Sequence, residues 1–192
     1  MGKRKRDRSG RYVSRGGDKL DRAFDSFGID PKGMVAADLG ANVGGFTDCL
    51  LQRGASKVYA IETGYGVLEW KLRQDERVVV MERTNALHVE LPEPVDIVVA
   101  DVGWTSLLRY VPKTLDLLKT NGLFVALLKP QYEADRSELI DGYVDDKTAD
   151  RVVAEVADRL GEAGCSVDAV VDPGLESRGR NPERFVLISP SL

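Results

Sequence analysis

MVAADLGANVGGFTDCLLQRGASKVYAIE, residues 34–62, decides the fold. Its first seven residues form an apolar run broken only by Asp38 at the far end, the pattern of a strand covered on both faces. GGFTDCLLQRG (44–54) has helical spacing and closes on Gly54, and KVYAIE (57–62) is a second strand. A strand, a glycine-rich turn, a helix and a strand within 29 residues make a βαβ unit, whose two strands run parallel. The alternation continues on either side. Upstream, DKLDRAFDSFG (18–28) places Leu20, Ala23, Phe24 and Phe27 on one helical face. Downstream, VLEWKLRQ (67–74) predicts a helix, RVVVME (77–82) and VDIVVAD (95–101) strands, and SLLRYVPKTLDLL (106–118) a helix broken near Pro112. GLFVALLK (122–129) adds a strand, KTADRVVAEVADRLGEAG (147–164) an amphipathic helix, and VDAVVDP (167–173) and ERFVLIS (183–189) the last two strands.

The expected class is therefore an open, mainly parallel α/β sheet of seven strands. Residues 174–182 are too few for a helical crossover, so the last strand must run antiparallel to its predecessor. Its beginning then lies at the edge where the parallel strands end, which brings Glu183 towards Asp101 and Lys129. Ligands of open α/β sheets bind along that edge.

The chain has 192 residues and 43% hydrophobic content, enough for one ordinary domain. Its net charge of -4 is uneven: residues 1–15 carry Lys3, Arg4, Lys5, Arg6, Arg8, Arg11 and Arg15 against Asp7 alone, leaving an acidic remainder. Residues 1–15 read as a flexible basic arm suited to a polyanion such as RNA, and residues 16–192 as the folded domain. Cys49 and Cys165 lie in no metal-ligand spacing, and His88 is the single histidine. The expectation is a cytoplasmic protein with reduced thiols and no metal site. No apolar run reaches the roughly 18 residues of a membrane span.

The turn DLGANVGGF (38–46) lacks the GxGxxG spacing of a dinucleotide fingerprint. Asp38 at the mouth of the strand repels a pyrophosphate but suits a ligand with an ammonium and a sulfonium, as in S-adenosylmethionine. Gly40, Asn42, Gly44, Gly45 and Phe46 complete the expected cofactor loop. Glu62 ends the second strand, where a carboxylate accepts two ribose hydroxyls. Asn85, after the third strand, either hydrogen-bonds the adenine edge or caps a turn.

SRGGDKL (14–20), ADLGANVGGFTDCLLQRGASKVYAIETGYGVLEWKLR (37–73), VVVMERTNA (78–86), PVDIVVADVGWTSL (94–107) and LLKPQYE (127–133) resemble the hemolysin A (TlyA) type of ribosomal RNA methyltransferase, within the FtsJ-like 2'-O-methyltransferases. The resemblance implies a Rossmann-like class I methyltransferase fold, S-adenosyl-L-methionine as cofactor and ribosomal RNA or ribosomal subunits as partner. It also implies a catalytic Lys-Asp-Lys-Glu tetrad at Lys19, Asp101, Lys129 and Glu183, with Asp101 also beside the cofactor. Physical chemistry fits such a quartet. A ribose hydroxyl must lose its proton as it attacks the methyl group. Two ammonium groups held face to face repel, which favours a neutral amine, expected at Lys129, as the base; Asp101 and Glu183 would then hold the other lysine charged.

The basic arm stands where the TlyA type carries an RNA-binding domain, and the acidic SELIDGYVDDK (137–147) replaces a Gly/Lys-rich loop. RNA contacts are accordingly expected from Arg15 and from Arg178, Arg180 and Arg184 flanking Glu183. Two readings from other classes stand beside this one: a catalytically silent RNA-binding protein of the same fold, and a hemolysin-like membrane-active protein.

Overall fold

The computed structural model describes residues 10–103, 105–174 and 181–190. Seven strands, β1 (Val35–Leu39), β2 (Lys57–Glu62), β3 (Val78–Glu82), β4 (Val95–Ala100), β5 (Leu118–Leu128), β6 (Cys165–Val171) and β7 (Arg184–Pro190), form one sheet in the order β3-β2-β1-β4-β5-β7-β6. The first five pair in parallel, whereas β7 inserts antiparallel between β5 and β6. The expected sheet and the expected direction of the last strand are both present.

Side chains alternate across each strand, and the apolar runs cover two cores. From β4, Ile97 and Val99 join the core under α1 (Arg15–Phe27) and α2 (Gly45–Gln52), while Val98 and Ala100 join that under α4 (Leu107–Thr114) and α5 (Asp146–Glu162). Helix α1 buries Leu20, Ala23 and Phe24 and stops at Gly28, whose left-handed backbone (φ 68°) turns the chain so that Ile29 N donates to Phe24 O.

The first turns of α1 and α2 lie against each other through glycines. A Cβ on Gly17 would stand 2.4 Å from Tyr12 and 2.8 Å from the Gly45 carbonyl oxygen, and one on Gly45 would stand 2.1 Å from Ser14 Oγ. Only glycine permits this approach. It fixes the segment preceding α1 on the body: Tyr12 is buried, Val13 N donates to Asp48 Oδ2 (2.8 Å), and Arg11 pairs with Asp21. The expected arm of residues 1–15 is thus, from Gly10 onward, part of the packed domain.

Three elements differ from the sequence expectation. Helix α3 spans only Trp70–Arg73 rather than 67–74: the residues before it form a loop in which Gly66 N and Val67 N donate to the Glu82 carboxylate (2.9 and 3.0 Å), and its N-cap Glu69 stays extended (φ -59°, ψ 137°). Pro112 lies inside α4 without interrupting it; the helix ends two residues later and Leu115–Leu117 tightens into a 3-10 turn. Strand β5 begins at Leu118, four residues early, where Leu118 pairs with Val95 across a register shift.

Gly17→Ala is expected to destabilise the fold by roughly 1–3 kcal/mol, as overpacking at a rigid contact does. Thermal melting checks it, and an unchanged Tm would refute the glycine contact as a packing constraint.

Candidate active site

The C-terminal edge of the parallel strands carries the site. Strand β1 delivers Asp38, completely buried, whose Oδ2 accepts from Thr47 N (2.9 Å) and Thr47 Oγ1 (2.7 Å) at the start of α2. Asp38 Oδ1 has no hydrogen-bond partner among the described residues. Burial pushes the Asp38 carboxyl up to about 7; the Thr47 bonds pull it down, and the charges of Asp101 and Glu62 push it further up. Gly40 follows with φ 84°, and a Cβ there would stand 2.7 Å from the Asp101 carbonyl oxygen. The turn therefore passes directly beneath the end of β4, a route closed to any side chain.

A cavity of about 600 Å³ opens at this turn, lined among others by Lys19, Asp38, Gly40, Asn42, Phe46 and Asp101. Its far wall is the segment Gly10–Gly16, so Arg15 lines it as well. Gly45 also lines it, whereas Gly44, Glu62, Asn85, Lys129 and Glu183 are not among its lining residues.

Two ion pairs stand at its edge, Lys19 Nζ with Glu183 Oε2 and Lys129 Nζ with Asp101 Oδ1. Lys19 and Asp101 face the cavity, and each holds a partner from outside it. The pairing differs from the expected one, in which both carboxylates held Lys19. Asp101 continues from β4 and Lys129 from its parallel neighbour β5, with Ala100 opposite Ala126, so these side chains leave adjacent strand ends. Glu183 enters from the antiparallel β7 and reaches the helix across the sheet edge.

The Glu62 carboxylate accepts from Asn42 N and Gly64 N, both at 2.8 Å, and so stitches the loop after β2 to the glycine turn. Asn85 Oδ1 accepts from Leu87 N (2.9 Å), which selects the capping role for that oxygen. Arg184 does not present a phosphate contact. Only 14% of its side chain is exposed, and its guanidinium is paired with Asp150 and Asp172 at 3.0 and 3.4 Å. Arg178 and Arg180 lie outside the described residues.

Three features escape the sequence reading. Thr47 is the partner of Asp38, and Glu133 caps α4 from a distance. The third is an aromatic platform on the same edge: Tyr65 is 72% exposed, and the Arg83 guanidinium lies 4.4 Å from its ring centroid. Arg83 adopts a left-handed backbone (φ 54°), and its N–H donates to Gly64 O. The signal available in sequence was an aromatic flanked by glycines in TGYG (63–66), beside a strand end.

A seven-stranded sheet with an antiparallel seventh strand and a cavity at the first glycine turn is the fold of class I S-adenosylmethionine-dependent methyltransferases. Fibrillarin from Aeropyrum pernix, solved with natively bound S-adenosyl-L-methionine, shares that fold with a TM-score of 0.64 at 19% identity, over 91% of this chain and 76% of its own. Residues 12–189 match the FtsJ-like methyltransferase model, and the chain belongs to that family. It is 40% identical over 181 residues to the 16S/23S rRNA (cytidine-2'-O)-methyltransferase TlyA of Mycobacterium tuberculosis, covering 91% of this chain and 67% of the relative. It is 36% identical over 179 residues to hemolysin A of Brachyspira hyodysenteriae, covering 88% and 73%. A candidate hemolysin from Streptococcus thermophilus matches in structure with a TM-score of 0.89 at 35% identity, over 96% of this chain and 69% of its own. Among the described residues no helix is long and apolar enough to cross a membrane.

Asp38 makes stability depend on pH. The unfolded carboxyl ionises near pH 4, whereas the folded one does so at about 7. Across that window the folded state holds a proton the unfolded state has released, so this group's contribution falls as pH rises. Asp38→Asn is expected to raise Tm more at pH 8 than at pH 5. Equal gains at both pH values would show that the buried carboxyl does not titrate in this window.

Proposed function

We propose that the chain is an S-adenosylmethionine-dependent RNA ribose 2'-O-methyltransferase acting on ribosomal RNA, with Lys19, Asp101, Lys129 and Glu183 as its catalytic tetrad. The observation that carries the reading is the pair of Lys–carboxylate contacts at the rim of the cavity, beside the glycine turn of an FtsJ-like domain.

The cavity fits the methyl donor in charge and shape. Asp38 is among the residues lining it and has one carboxylate oxygen without a partner among the described residues, and a side chain in place of Gly40 would fill the passage below Asp101. Asp38, Gly40, Asn42, Gly45, Phe46 and Asp101 line the binding space, with Glu62 fixing the position of Asn42. Bound S-adenosylmethionine supplies an electrophilic methyl group on a positively charged sulfur.

Asp101 lines the cavity and pairs with Lys129. Once the Lys129 ammonium has released a proton to solvent, its neutral amine takes the 2'-hydroxyl proton while the oxygen attacks the methyl carbon. The O–H and C–S bonds break and N–H and O–C bonds form, leaving a methylated ribose, a neutral thioether and a Lys129 ammonium that Asp101 holds. Glu183 keeps Lys19 charged and directed at the cavity, where an ammonium suits the developing oxyanion.

RNA contact is assigned to Arg15, exposed on the cavity wall, and to the Tyr65–Arg83 platform, whose free ring face suits an unpaired base. Glu82 and Glu62 pin the loop carrying Tyr65, so little order has to be gained on stacking.

Transfer of labelled methyl from S-adenosylmethionine to ribosomal RNA and to assembled subunits tests the reading. Lys129→Ala is expected to lower the rate about 100-fold or more, the scale of a general base, with donor affinity unchanged. Transfer at the wild-type rate by that variant would remove Lys129 from the mechanism. Separately, Tyr65→Ala is expected to weaken RNA binding by ~1–3 kcal/mol, the worth of one stacked base, measured by fluorescence anisotropy; unaltered binding would dismiss the platform as an RNA contact.

A further inference from the structure

The base proposed above needs a fixed origin, because a lysine side chain is long and flexible. Lys129 leaves the end of β5 in an extended conformation (φ -117°, ψ 97°) and opens a 3-10 turn, Pro130–Tyr132. Tyr132 N donates to Lys129 O (2.9 Å), and Glu133 N and Ala134 N donate to Pro130 O (3.0 and 2.8 Å). These bonds give the turn its shape but do not anchor it to its neighbour.

The anchor is the Glu133 side chain. Its Oε1 accepts from Leu107 N (2.7 Å) and its Oε2 from Ser106 Oγ, while Ser106 Oγ in turn accepts from Leu108 N (3.2 Å). These groups open α4, at the end of the segment that starts with Asp101. Asp101 itself is fixed at the other end, where its N–H donates to Leu39 O (2.9 Å). A closed ring results: Asp101 to Ser106 along the chain, Ser106 and Leu107 to Glu133 through hydrogen bonds, Glu133 back to Lys129 along the chain, and Lys129 to Asp101 through the ion pair.

We infer that Glu133 is a positioning residue for methyl transfer, tying the turn that carries Lys129 to the segment that carries Asp101 so that amine and carboxylate stay in register. The inference rests on the proposed role of Lys129. A simple helix cap at this place needs only the hydroxyl of Ser106, which is already present and already bonded to Leu108 N. A carboxylate brought in from 26 residues away and partly buried is costly. Burial pushes its carboxyl up, against the pull of the Ser106 and Leu107 bonds. A carboxyl kept there against that cost joins two segments that also meet at the reacting pair. Both Glu133 carboxylate oxygens are engaged at the start of α4, by Ser106 Oγ and Leu107 N, which makes it a holding rather than a reacting group.

The test compares Glu133→Ala and Glu133→Gln in the full chain. The alanine variant is expected to lower kcat about 10- to 100-fold, the effect of a displacement near 1 Å at a reacting group, with KM for RNA and donor affinity unchanged. Glutamine retains an acceptor for Leu107 N and is expected to restore most of that loss. In a Lys129→Ala background the alanine substitution is expected to have no further effect. A readout free of turnover is the Lys129 13Cε NMR resonance, identified by its loss in Lys129→Arg, which is expected to shift in Glu133→Ala and return towards its wild-type position in Glu133→Gln. An unmoved resonance, or a lowered Tm with kcat per folded molecule unchanged, would reduce Glu133 to a helix cap. Wild-type activity in Lys129→Ala would overturn the role of Lys129, while a shifted resonance would still establish the tether.

Discussion

The antiparallel pairing of β7 with β5 is the constraint on which the rest of the site depends. Arg184 faces Leu128 and Phe185 faces Leu127, so the start of β7 lies beside the end of β5. Had β7 run parallel, Glu183 would begin at the opposite edge of the sheet, and Lys19 would point into the cavity without a counter-charge. The reversal needs only the short passage between β6 and β7, since an antiparallel neighbour requires no crossover helix. A turn of chain direction near the C-terminus thus completes a site whose other parts come from the first two-thirds of the sequence.

Charge at the strand ends is arranged so that each ion has one close opposite. Lys19 and Lys129 expose 13% and 17% of their side chains, and neither is far enough into water to do without a partner. Dividing two carboxylates between two lysines leaves both pairs neutral, whereas Asp38, bonded on one oxygen only, and Glu62, held by backbone N–H groups, are met by donors rather than by a cation among the described residues. The acidic character of the donor side and the balanced character of the rim follow from the same rule: desolvated charge is tolerated where a specific opposite charge or donor meets it.

How much of this was legible in the sequence divides by physical cause. The glycine turn and the direction of the last strand were legible because backbone geometry imposes them locally: Gly40 is the residue that fits under Asp101, and a short connection enforces an antiparallel strand. Glu183 was legible through topology for the same reason. The pairing of charges was not, since Lys19 and Glu183 are 164 positions apart and only the folded geometry decides which carboxylate meets which lysine. Arg184 misled because proximity in sequence to Glu183 is not proximity in space: successive residues of an extended chain point to opposite faces, and Arg184 turns to Asp150 and Asp172. The shortening of α3 was hidden likewise, in a long-range contact: Glu69 N donates to Val43 O, and Glu69 stays extended where the helix was expected to be under way.

The segment Gly10–Gly16 has a consequence for how substrate arrives. It forms a wall of the cavity and is held there by Asp48 and by the glycine contact of the two helices. Whatever chain precedes Gly10 is therefore joined to the body at the lip of the site. An RNA captured by that upstream chain is confined within a tether's length of Lys19 and Asp101, and its local concentration is set by the tether rather than by the solution. If RNA is recruited from the N-terminal side of this domain, recruitment elements of different size and affinity attached there would share one point of entry, and the chemistry behind it need not change.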